Sequence, residues 1–183
     1  MKTFNLAIAM MSVLTLGLSA FAGQANSSAS ASSPGWGPGT ASATAGYDGG
    51  GIGFAQTDTR SGKVNLAKGL SFGFDEEGLS LSSSFAVAPT LGPAAAGTFN
   101  LALGLDGDVS YSVGRTTATG DPYRSVSAGG SATPGRFGRP GTAVAGVNGR
   151  TGPLGRVLAR THSQTSRPTV VRRVPTRRIL RRR

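Results

Sequence analysis

Between Val64 and Val113 large apolar residues recur at alternate positions, and the positions between them carry almost only serine, glycine, alanine and asparagine. Side chains along a strand point alternately to opposite faces of a sheet, so a period of two selects strands over helices and gives each strand one greasy and one small face. Val64, Leu66, Leu70, Phe72 and Phe74 alternate with Asn65, Ala67, Gly69, Ser71 and Gly73. After Asp75-Glu76-Glu77-Gly78, which reads as a turn, Leu79, Leu81, Phe85 and Val87 alternate with Ser80, Ser82, Ser84 and Ala86. A second pair follows the loop at 89–97: Phe99, Leu101, Leu103 and Leu105, a turn at Asp106-Gly107-Asp108, then Val109, Tyr111 and Val113. Ile52 and Phe54 suggest an additional edge strand.

The fold expected is mostly β, a small antiparallel meander of four or five strands over residues 47–119, flanked by disordered low-complexity segments. Its greasy face requires a cover, for which a second copy of the chain, the segment after Gly114 folding back, or lipid are the candidates. The small face is flat, so it can stay wet or approach another surface closely.

The flanks differ in character. Lys2, the mostly apolar run over 6–18 and Ala20-Phe21-Ala22 have the layout of a signal peptide over residues 1–22, with cleavage before Gly23. Export to the periplasm, the cell surface or the medium is therefore expected. Residues 23–46 are rich in Ser, Ala, Gly and Pro around an isolated Trp36, and read as a linker. Residues 120–183 read as a largely disordered basic tail.

Charge is divided between the two halves. All eight acidic residues lie at or before Asp121, whereas fourteen of the nineteen basic residues lie after it, every one an arginine. A guanidinium group offers a planar fork of donors that matches phosphate, sulfate or carboxylate oxygens. Arg172, Arg173, Arg177, Arg178, Arg181, Arg182 and Arg183 are the candidate polyanion-binding residues, with anionic polysaccharide, lipopolysaccharide or another polyanion as the partner.

Other chemistry finds little purchase. The chain has no cysteine, hence no disulfide and no thiolate for zinc or nucleophilic work. The acidic turns match no calcium-loop spacing and read as charged turns that keep hairpins soluble, so no metal is expected. His162 is the only histidine and has no acid near it in sequence. Gly149, Gly152 and Gly155 follow no expected strand, which argues against a phosphate-cradling turn. The expectation is a noncatalytic exported envelope or surface protein without a cofactor or a small-molecule substrate, whose basic tail adheres to an anionic polymer or surface. The alternative is a self-assembling structural β protein, as a homo-oligomer or associated with an outer membrane.

Overall fold

A computed structural model of the chain describes residues 23–35, 37–135 and 139–166. They form ten strands: β1 (Gln24–Ser33), β2 (Thr40–Asp48), β3 (Ile52–Arg60), β4 (Val64–Asp75), β5 (Gly78–Pro89), β6 (Ala94–Gly104), β7 (Val109–Thr119), β8 (Arg124–Thr133), β9 (Thr142–Thr151) and β10 (Arg156–Ser166). Every pairing is antiparallel. A six-stranded sheet has the order β10-β7-β6-β5-β4-β3 and a four-stranded sheet the order β2-β1-β8-β9.

Strands β3 to β7 are the uninterrupted meander that the alternation predicts. The architecture is larger than a meander of four or five strands, because segments expected to be unstructured supply β1 and β2 before it and β8, β9 and β10 after it. The physical reason lies in what these segments meet. In β1 the alternation is alanine against serine, too low in contrast to register as amphipathic, yet Ala25, Ala29 and Ala31 are buried. Small side chains form a core when the surface opposite is equally small, since dispersion contact then extends along the whole backbone.

That surface is the serine and alanine face of the meander. Ala67 of β4, Ala86 and Ala88 of β5, Ala94 and Ala96 of β6 and Ala118 of β7 cluster with Ala29, Ala31, Val126 and Ala128 from the four-stranded sheet. The approach is close: a Cβ on Gly69 of β4 would come within 2.7 Å of the Thr44 carbonyl oxygen of β2. Polar side chains between the sheets donate across the gap. Ser71 Oγ donates to the Asn26 carbonyl at 2.7 Å, Asn65 Nδ2 to the Ser32 carbonyl at 3.1 Å and Asn100 Nδ2 to the Val144 carbonyl at 2.8 Å. Ser27 and Ser82 hydroxyls meet at 2.8 Å, and Ser82 Oγ is 2.6 Å from Asn100 Oδ1. Each bond satisfies a buried polar group that would otherwise carry a desolvation penalty.

The chain passes between sheets after β2, β7 and β9, and β2 lies beside β3 at one edge and β9 beside β10 at the other. Tyr47 plugs the first edge, its ring lying over Gly53 and Gly73, where any Cβ would overlap it. Arg124, only 2% exposed, pins the β7–β8 crossing by donating from Nη2 to the Thr90 carbonyl at 2.7 Å and from Nη1 to the Gly120 carbonyl at 3.1 Å. Its ion-pair partner Asp121 is 79% exposed. The first arginine of the expected basic tail is thus a buried structural cation.

Candidate functional site

The large apolar residues of the meander face away from the second sheet. Of the three covers considered for that face, the segment after Gly114 does fold back, but against the small face, and the greasy face stays open among the described residues. The strand register sorts it into rows. Ile52, Phe74, Leu79, Leu103 and Val109 lie side by side across β3 to β7, and Phe54, Phe72, Leu81, Leu101 and Tyr111 form the next row. In the third row Leu70, Phe99 and Val113 are interspersed with Gln56 and Ser83. Ile52 is 77% exposed, Phe54 52% and Phe74 46%. An apolar face of this breadth goes beyond the scattered exposed hydrophobes that need no explanation.

The fourth row changes sign. It reads Asp58, Lys68, Phe85, Gly97, Arg115 and Arg160, with Arg115 and Arg160 directly opposite each other on β7 and β10. Like charges facing each other across strands oppose pairing. Arg115 has Gly97 on its other side, so neither neighbour in the ladder neutralises it. Asp58 by contrast faces Lys68. Arg156, four residues from Arg160 on the same face of β10, extends the cationic end. The opposite end of this sheet is acidic, with Asp75, Glu76 and Glu77 on the β4–β5 turn and Asp106 on the β6–β7 turn.

The acidic turns are held by their own backbone. Asp75 Oδ1 accepts from the Glu77 and Gly78 amides at 2.9 and 3.1 Å, and Asp106 Oδ1 accepts from the Asp108 amide at 3.3 Å. Asp75 Oδ2 accepts from the Gly23 nitrogen at 2.6 Å and from Tyr47 Oη at 3.3 Å. Burial, and then the Asp75 charge, raise the Tyr47 phenol above its ordinary value of 10.0. His162 sits on β10, its Nε2 3.5 Å from Tyr111 Oη, beside a hollow of about 160 Å3 lined by residues of β9 and β10. That volume falls below the roughly 300 Å3 at which small-molecule pockets begin. No group of three or more His, Cys, Asp or Glu side chains is placed to hold a metal among the described residues.

The seven arginines singled out from the sequence, Arg172, Arg173, Arg177, Arg178, Arg181, Arg182 and Arg183, lie outside the described residues. The arginines that do converge, Arg115 with Arg160, are 45 positions apart in the chain, and only the β7–β10 register brings them together. An arginine on a Ser/Thr-rich strand was the available signal, but it requires knowing that residues 156–166 form a strand. Comparison with protein-family models, with curated proteins and with solved structures finds no match to this chain.

Proposed function

We propose that the chain is a noncatalytic exported envelope or surface protein that lies with its six-stranded face on an anionic amphiphile layer, such as lipopolysaccharide or acidic phospholipid. The observation that carries this reading is the sharing of one exposed face by two rows that are apolar across β3 to β7, a third that is half apolar, and an adjoining cationic row. An apolar strip gains by entering an acyl layer, and cations beside it gain from headgroup phosphates at the boundary. The arginines at 172–183 would add to the same attraction, as would an anionic polysaccharide lying over that surface. No step of bond making belongs to this function, and no cofactor enters it.

Flotation of the exported protein with vesicles tests it. Acidic phospholipid vesicles should carry the protein at low salt, zwitterionic vesicles should carry much less, and raising salt should release part of the bound fraction. Failure to float with either vesicle type, or equal flotation with both at all salt concentrations, would remove the proposal.

A second reading, self-assembly, is favoured by the gradient of charge along the strands. A two-fold axis parallel to the sheet and at right angles to its strands would lay the apolar rows of two copies together and set the acidic turns of each over the cationic end of the other. Sedimentation should then show a dimer that loosens with salt, and a monomer at high concentration and low salt counts against it.

A further inference from the structure

We propose that removal of the leader creates an ion pair that locks the fold: the new α-ammonium of Gly23 binds the Asp75 carboxylate. This inference rests on the export reading, because it needs cleavage after Ala20-Phe21-Ala22. Hydrolysis adds water across the Ala22–Gly23 peptide bond, leaving a carboxylate on Ala22 and a protonated amine on Gly23, with a leader peptidase as the catalyst.

Three observations meet at this nitrogen. It lies 2.6 Å from Asp75 Oδ2, the shortest approach to that carboxylate. Gly23 is buried, and a Cβ there would overlap Asp75 Oδ2 and Tyr47 Oη, so a larger residue would have to displace the two side chains that the nitrogen faces. The carboxylate is already fixed on its other oxygen by the Glu77 and Gly78 amides. A nitrogen bonded to Ala22 can give this oxygen one neutral hydrogen bond, whereas a free ammonium gives a charge-assisted one and has two further hydrogens for its surroundings. Because Gly23 opens the path into β1, the pair fastens the start of the four-stranded sheet to the β4–β5 turn of the other sheet. Processing and tight closure of the two sheets are thereby coupled.

A stability cycle on the otherwise complete mature chain tests this. Chains beginning at Gly23 are compared with chains retaining Ala22, each with Asp75 or with Asp75→Asn, whose side-chain oxygen can still accept from the turn amides. Retaining Ala22 should lower the folding equilibrium constant by about ten-fold with Asp75 and by less than about two-fold with Asp75→Asn. Equal losses in both backgrounds, or none in either, overturn the proposal. If Asp75→Asn does not fold, the rate at which an amine-specific reagent modifies Gly23 in the native protein decides: protection relative to the unfolded chain supports the pair, and an equal rate overturns it. Terminal sequencing of the exported product separates the premises. Export with a terminus other than Gly23 defeats the ion pair alone, and retention in the cytoplasm with the leader attached defeats the export reading itself.

Discussion

Two residues show how chemistry inside the protein departs from what their types suggest. Arg124 belongs to an arginine-rich stretch, yet its guanidinium is enclosed and its main acceptors are backbone carbonyls of Thr90 and Gly120. Arg124→Ala should destabilise the fold by about 2–4 kcal/mol, because several carbonyls lose a charged donor at once. Asp121→Asn should cost less than about 1 kcal/mol, since its carboxylate is largely in water. Urea unfolding of both variants checks the ranking. Tyr47 gives a pH dependence. Its folded-state pKa is raised, so in the alkaline range the unfolded chain gives up this proton first. The contribution is fully present below the ordinary phenol value of 10.0 and is lost as pH rises through the higher folded value. Wild-type protein should therefore lose stability more steeply than Tyr47→Phe between pH 10.0 and the higher folded value, as followed by thermal midpoints against pH.

At the scale of strands, the burial pattern inverts the usual relation between size and depth. Ala86 of β5 is wholly buried, while Phe74 of β4 points outward and is 46% exposed. Ala86→Leu should cost about 1–3 kcal/mol or more, since the sheets have no room to part without breaking the bonds from Ser71, Asn65 and Asn100. Phe74→Ser should change stability by less than about 1 kcal/mol, and chemical denaturation of the two variants compares them directly. The hairpins β4–β5 and β6–β7 were legible because leucine and phenylalanine against serine is a strong contrast, and Asp75 and Asp106 mark their turns. Strands β1, β2 and β8 were not, because Ala29 beside Ser30, or Ala128 beside Ser127, differ too little in hydropathy for either face to stand out. Their order comes from the partner sheet: Ser27 and the Asn26 carbonyl meet Ser82 and Ser71 across the core. The identity of the inside face was illegible for a related reason. Size alone points to the phenylalanines as core, and only two small faces meeting makes the opposite arrangement favourable.

For the whole molecule, two small faces meet in the middle, the six-stranded sheet carries the apolar rows outward, and its cations gather at one end. The outer face of β1 and β2 is polar by comparison, with Ser28, Ser30 and Ser32 hydroxyls bonded to those of Thr44, Ser42 and Thr40. The molecule therefore has a wet side and an apolar side, which is the asymmetry that attachment to a layer requires. Replacing Arg115 and Arg160 together by alanine should weaken binding to acidic vesicles by about 30-fold, at about 1 kcal/mol for each cation near an anionic surface. The thermal midpoint should not fall, because the pair of like charges it removes opposes strand pairing. Flotation and thermal unfolding of the double variant read the two effects separately.

The absence of cysteine from the chain allows a direct test of which face is interior. Phe85→Cys and Ser82→Cys place single thiols three residues apart on β5, the first on the outer face and the second in the core. Labelled by a thiol reagent in dilute, lipid-free solution, Phe85→Cys should react at nearly the rate of an unfolded chain, and Ser82→Cys should stay protected until denaturant is added. Rapid labelling of Ser82→Cys with protection of Phe85→Cys would mean that the greasy face is the core after all.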